Sequence, residues 1–287
     1  MGNESVSITG SIEDFDGDIK AIGSKYDGVR YEHEMLNREL IREAGLLEDE
    51  VMSLIQKGAP RDSIDRIYYQ KEEPKGKLTI VWEKKEKQDY DFLKKKINTA
   101  YGRSMLLYIS DEVTKEQLKE LLSLVESQYK QTKEVQYLKA RIDYDKLVEG
   151  AKYYDFNALD WDGKQVKFSS YFNKGKYVLL DFSTMYCGYC QMAAPQTAKL
   201  AEEMKDKLTY VTYYIDMNKD IMKQYYELRG NKGIILWNKE GRSHSVNAMY
   251  SQTGTPHYVL LDATGKVVTI IPGYSKDISE MLKAFIN

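Results

Sequence analysis

The chain is 287 residues long, 42% hydrophobic and 30% charged, with a formal net charge of −2. That length allows two domains of roughly 100–200 residues each, and the apolar content is enough for a packed core. The near-balanced charge gives no sign of a nucleic-acid or anionic-membrane partner, and no apolar run approaches the ~18 residues of a transmembrane helix.

Residues 5–12 alternate as Ser-Val-Ser-Ile-Thr-Gly-Ser-Ile and predict one strand. Leu36, Leu40, Ala44, Leu47, Val51 and Leu54 then recur at helical spacing, with Gly58-Ala-Pro60 as the stop. Gly45 weakens that helix and leaves a split open. Lys77 to Trp82 reads equally as a strand or a helix entry. The charged runs Glu83 to Lys87 and Lys94 to Lys96 lie at helical register and predict a solvated face. Thr114 and Gln117 have capping-box spacing. Leu118, Leu121, Leu122, Val125 and Tyr129 follow as an apolar stripe, and a further helix is expected over 133–149. Residues 1–149 therefore predict a mainly helical N-terminal domain with a short strand segment at its start and no chemical constellation.

Gly150 is the expected boundary to a second domain, 150–287. Tyr153 to Leu159 and Gln165 to Phe168, joined by Asp162-Gly163, predict a hairpin. Tyr177 to Phe182 is an apolar run and predicts a buried strand. Leu208 to Ile215 predicts another, and Lys219 to Arg229 a helix. A long segment between Asp216 and Pro256 holds Trp237, Gly241 and Tyr250. Tyr258 to Leu261 and Lys266 to Ile271 predict two strands about a turn, and Ile278 to Ile286 a closing helix. Strands alternating with helices make this an α/β domain.

Cys187 and Cys190 are the only two cysteines. Their C-x-x-C spacing fits a redox dithiol or half of a zinc site. The flanks favour the dithiol. The predicted strand ends just before Cys187, and Ala193, Thr197, Leu200, Ala201 and Met204 mark one face of a helix just after it. Free N–H groups and the dipole at a helix start stabilise a thiolate. Cys187 is then the exposed, attacking sulfur and Cys190, one turn in, the buried resolving thiol. A purely structural disulfide closing so small a loop would remove little unfolded-state entropy.

Asp181 six residues before the first cysteine, the dithiol itself, Pro195 five residues after the second, and Thr255-Pro256 before an apolar run resemble the active site of the thioredoxin superfamily. The hairpin ahead of the first core strand and the long 216–256 segment resemble its TlpA/ResA-like (AhpC/TSA-type) thiol–disulfide oxidoreductases, some of which carry a helical N-terminal region. The resemblance implies a thioredoxin-like C-terminal catalytic domain. It implies that Asp181 has a raised pKa and moves protons to and from Cys190, and that Thr255-Pro256 is a cis-proline loop offering backbone groups to an extended substrate. A solvent-reaching acid at a strand end is the competing reading of Asp181. Tyr186 and Tyr189 stand where the family usually has Trp and Pro, and are expected to rim the substrate site. ResA-like proteins often place a Glu where this chain has Ala193, so the site departs from that subgroup. Cys-Gly-Tyr-Cys, Gly254-Thr-Pro256 and Pro272-Gly-Tyr274 also resemble DsbC-type isomerases, which leaves the direction of electron flow open.

Two further readings are weaker. His244 and His257 with the cysteines could ligate a metal, as in Sco-like proteins, but their spacing is not that of a zinc finger. A peroxiredoxin site would need proline where Leu180 stands. The expectation is therefore an enzyme of protein disulfides and dithiols, needing no cofactor or metal because the electrons reside on sulfur. The alternatives are a disulfide isomerase or a non-catalytic binding module that uses the helical domain. The helical domain is expected to dock a redox partner or to pair two chains as a homodimer. The resemblance implies an extracytoplasmic, periplasmic location, with lipid anchoring of the precursor left open. No export signal is visible, and Met1-Gly2 before polar residues fits a start replacing one. Val6 stands where N-myristoylation needs Ser or Thr, which excludes that anchor.

Overall fold

The computed structural model describes residues 5–11, 19–109, 113–172, 175–230 and 233–286. The chain divides into two compact units, Met1–Val135 and Gln136–Asn287. The stretch leading up to Gly150 thus belongs with the second unit.

The first unit opens with β1 (Ser7–Thr9) antiparallel to β2 (Lys20–Ile22). The single strand expected over 5–12 is thus shorter and has a partner the alternation did not announce; Ile12 lies outside the described residues. Helix α1 (Lys25–Gln56) runs 32 residues from Ser24, whose hydroxyl accepts the Asp27 N–H at 3.2 Å. Gly45 does not split it. The buried Ala44 and Val51 pack with Ile64, Tyr68, Leu78 and Val81, and this tertiary contact outweighs the ~1 kcal/mol that an interior glycine costs. Helix α2 (Arg61–Ile64) passes into a π-turn over Asp65–Tyr69.

The ambiguous run at Lys77 is the start of α3 (Lys77–Lys96), with Leu78 and Val81 facing the core. Then follow α4 (Ala100–Ile109), α5 (Lys115–Ser123) and α6 (Lys133–Asp143), the last of which lies mostly in the second unit. The capping box is formed: Thr114 Oγ1 accepts the Gln117 N–H at 3.2 Å and the Gln117 side chain accepts the Thr114 N–H at 2.8 Å. The charged face of α3 is not wholly solvated. Lys85 donates at 2.5 Å to the buried Asp89, which also holds His33 and Asn37 of α1. Burial alone would raise the Asp89 pKa, but these bonds and the Lys85 charge hold it below the ordinary carboxylate value.

The second unit is built on a seven-stranded sheet, comprising β3 (Asn157–Leu159), β4 (Gln165–Lys167), β5 (Tyr177–Ser183), β6 (Leu208–Tyr214), β7 (Ile234–Trp237), β8 (His257–Leu261) and β9 (Val267–Pro272). The spatial order is β4-β3-β7-β6-β5-β8-β9, parallel across β5, β6 and β7 and antiparallel elsewhere. Its helices are α7 (Gly188–Glu203), α8 (Lys219–Leu228), the short α9 (Ser245–Met249) and α10 (Ile278–Lys283). β5 lies between β6 and β8, so it is buried on both sides and reads as a nearly continuous apolar run. Side chains alternate along it. Leu179 joins Leu200, Ile278 and Leu282 on one face, where Cys190 and Ala194 also pack with Met222 and Tyr225. Phe182 turns to the other face, against Tyr213 and Tyr250, with Phe156 and Phe168 behind them. The expected order, a helical region followed by an α/β domain, is what the chain adopts.

Candidate functional site

The chain leaves the sheet at Ser183, turns through three residues and enters α7 with Cys187 as its N-cap. Asp216, just beyond β6, fixes this turn. Its Oδ2 accepts the Thr184 hydroxyl at 2.6 Å and the Met185 N–H at 3.3 Å. The Cys187 sulfur accepts the Cys190 N–H at 3.3 Å and, as a thiol, donates to the Thr255 carbonyl at 3.2 Å. That bond sets the Thr255–Pro256 loop, whose peptide is cis, directly against the outer sulfur. Pro195 sits within α7.

The two thiols differ sharply. Cys187 is partly exposed and Cys190 only 1% exposed. Burial alone would push the Cys187 thiol up, but hydrogen bonds from the Cys190 thiol, the Cys190 and Tyr189 N–H groups and the Thr255 side chain bring it below its ordinary value. Burial, reinforced by the hydrogen bond with Cys187, pushes the Cys190 thiol up to about 12. The outer sulfur is thus the one that ionises and the inner one the one that keeps its proton.

Asp181 lies on the same face of β5 as the helices and is 1% exposed, which rules out the reading of a strand-end acid in solvent. Its Oδ2 accepts the Tyr210 hydroxyl at 2.5 Å. Burial raises its pKa from 3.8 to about 6, against the lowering effects of Tyr210, the Arg229 charge and Ser183. Tyr186 and Tyr189 are 76% and 62% exposed. They flank Cys187 on the surface, and Tyr189 stacks on Tyr274 with ring centroids 5.6 Å apart. His244 caps α9 and its Nδ1 lies 3.1 Å from the Tyr213 hydroxyl, while His257 is buried on β8. Among the described residues no group of three His, Cys, Asp or Glu side chains could hold a metal ion.

The thioredoxin family profile matches residues 162–256. That stretch is thioredoxin-like and holds both cysteines. The chain is similar to a probable nucleoredoxin 1 of Arabidopsis thaliana, 27% identical over 40% of this chain and 21% of that protein. It is also similar to a thioredoxin of Acidithiobacillus ferridurans, 37% identical over 22% of this chain and 56% of that one. It therefore spans between a fifth and just over half of the length of these relatives. Among solved structures it resembles the thioredoxin domain of a thiol-disulfide oxidoreductase from Bacteroides vulgatus, 25% identical over 49% of this chain and 99% of that one, with a TM-score of 0.44.

Around the dithiol of the thioredoxin-like domain, the fold places three residues that sequence reasoning did not single out. Asp216 anchors the turn before Cys187, Tyr210 binds the buried acid, and Arg229 adds a buried positive charge. Tyr210 and Asp216 carried a faint signal. Tyr210 is polar-tipped within a strand expected to be buried, and Asp216 directly follows it. Arg229 ends a charged helix and carried none.

Proposed function

We propose that the chain is a thiol–disulfide oxidoreductase of the TlpA/ResA-like kind, exported from the cytoplasm and acting on protein disulfides or dithiols. The observation that carries this reading is the geometry of the two sulfurs: Cys187 caps α7 and touches the Thr255 carbonyl, while Cys190, one turn in, is buried, as is the Asp181 carboxyl on the adjoining strand. In the reducing direction the Cys187 thiolate attacks one sulfur of a substrate disulfide. That bond breaks, a Cys187–substrate disulfide forms, and the other substrate sulfur leaves as a thiolate that takes up a proton. Cys190 then gives its proton to Asp181 and attacks the Cys187 sulfur. The Cys187–Cys190 disulfide forms and the second substrate sulfur leaves, so two electrons have passed to the substrate. The reverse sequence oxidises a substrate dithiol. Thr255 and Pro256, with the exposed rings of Tyr186 and Tyr189, border the sulfur that a substrate chain must reach and are its binding surface in this reading.

The Cys190→Ala variant tests it. It keeps the attacking thiolate and loses the only resolving thiol, so mixed disulfides should accumulate and disappear on reduction. Cys187→Ala should trap little. Equal trapping by both variants, or none by either despite thiol activity in the parent, would refute the assignment. Cys-Gly-Tyr-Cys keeps disulfide isomerisation as a second reading; refolding of a protein with scrambled disulfides separates the two. A non-catalytic binding module is disfavoured by the ionisation pattern at the two sulfurs, which binding alone does not require.

A further inference from the structure

Asp181 is surrounded by an unusual polar cluster inside an apolar face. In the parallel register, Asp181 pairs with Thr212 of β6, and Tyr210 lies two residues away on the same face. Five titratable groups face the carboxyl from the elements packed around it: Tyr210 from β6, Tyr225 from α8, Arg229 from the end of α8, Cys190 from α7 and Tyr258 from β8. The three tyrosines are not equivalent. The Tyr225 hydroxyl donates to Ser183 at 2.8 Å, and the Tyr258 hydroxyl has no hydrogen-bond partner among the described residues. Only Tyr210 donates to Asp181, at 2.5 Å.

Arg229 holds Tyr210 in turn. Its guanidinium carbon lies 4.0 Å from the Tyr210 ring centroid, and its Nη1 donates to Thr212 at 2.5 Å. It is 2% exposed. Gly233, at φ +98°, passes the guanidinium so closely that a Cβ there would lie 3.3 Å from Nη2. No salt bridge among the described residues involves Arg229, and Asp181 is the carboxyl that faces it. A buried guanidinium needs such a countercharge. Asp181 Oδ2 is occupied by Tyr210, while Oδ1 is buried and within normal hydrogen-bond length of no donor among the described residues; Ser183, which also lowers the pKa of the carboxyl, accepts the Tyr225 hydroxyl.

We infer that Tyr210 and Arg229 are positioning residues for Asp181: they fix its Oδ2 and sustain its charge, so that Oδ1 is the oxygen that exchanges a proton with Cys190. The inference rests on the proposed role of Asp181 as proton acceptor. A carboxyl in an apolar site can be pushed up by 3–5 pH units, which would leave it protonated and useless as a base near neutrality. The Tyr210 hydrogen bond and the Arg229 charge oppose that rise.

The test isolates the second step. The full-length chain carries a chromogenic aromatic thiol, 5-thio-2-nitrobenzoate, as a mixed disulfide on Cys187. Its release by Cys190 is followed as a function of pH. In the parent, release should slow below about pH 6, where Asp181 takes up a proton. Tyr210→Phe and Arg229→Met should move this acid limb upward by about one pH unit or more, and Arg229→Lys should leave it near the parent's. In an Asp181→Asn background neither substitution should shift the profile further. If Asp181→Asn leaves the release profile unchanged, the proton-acceptor reading fails and takes the inference with it. If Asp181→Asn changes the profile but folded Tyr210→Phe does not, the inference alone is overturned, including when that variant is merely less stable. Should Arg229→Met not fold, Tyr210→Phe alone decides.

Discussion

Replacing Asp181 by Asn should remove the pH dependence that the buried carboxyl gives to the stability of the second unit. Asp181 is fully buried, and its pKa is raised from 3.8 to about 6. Below the lower value the carboxyl is protonated whether the chain is folded or unfolded, and burial carries no ionic penalty. As pH rises through that interval the unfolded chain loses its proton first, so the folded state loses stability until the folded carboxyl ionises as well. At about 1.4 kcal/mol per pH unit, the loss is roughly 3 kcal/mol above about pH 6. Asn has no proton to lose. Its buried amide adds a cost of about 1–3 kcal/mol if left unpaired, but that cost does not vary with pH. The quantity to measure is therefore the change in the variant-minus-parent difference between about pH 4 and pH 7.5. Urea unfolding of the reduced full chain serves, followed by tryptophan fluorescence in a Trp82→Phe background so that Trp161 and Trp237 of the second unit report. The difference should move in favour of Asn by roughly 2–2.5 kcal/mol on going to the higher pH, because part of the loss has already occurred at pH 4. A flat difference, or one that moves in favour of Asp, would refute a raised folded-state pKa.

Iodoacetamide near neutral pH should label Cys187 much faster than Cys190, and the Cys187 rate should have a midpoint below that of a free thiol; equal labelling of the two would remove the nucleophile assignment. Because the site favours the Cys187 thiolate, and with it the reduced form, the dithiol should be more oxidising than thioredoxin's at about −270 mV. A glutathione titration giving a value at or below that figure would count against this and point to a dedicated reductase.

The parts of the site that were legible from the chain are those whose determinants are local. Cys187 and Cys190 announce themselves by spacing, α7 by its apolar face, and the Thr114 box by two residues three apart. What stayed hidden depends on distant partners. Asp89 reads as one more charge between two charged runs, and its partners His33 and Asn37 lie 56 and 52 residues away. Arg229 reads as the polar end of a surface helix, and nothing nearby in the chain says that it folds over Tyr210. β7 was missed because its four residues, Ile-Ile-Leu-Trp, are too short a run to separate from a buried turn. Conversely, Gly45 suggested a break that packing overrides.

Cys187 is at once the attacking sulfur and the residue that caps α7, through the N–H of Cys190. A thiolate makes that bond charge-assisted, whereas a sulfur tied up in a disulfide is only a weak, neutral acceptor. Each turnover therefore exchanges a hydrogen-bonded cap for a covalent tie across the first turn of the helix on which the chemistry is mounted. What fastens that turn is then a redox variable in its own right. Oxidation holds it by the Cys187–Cys190 bond, and reduction returns it to the charge-assisted hydrogen bond.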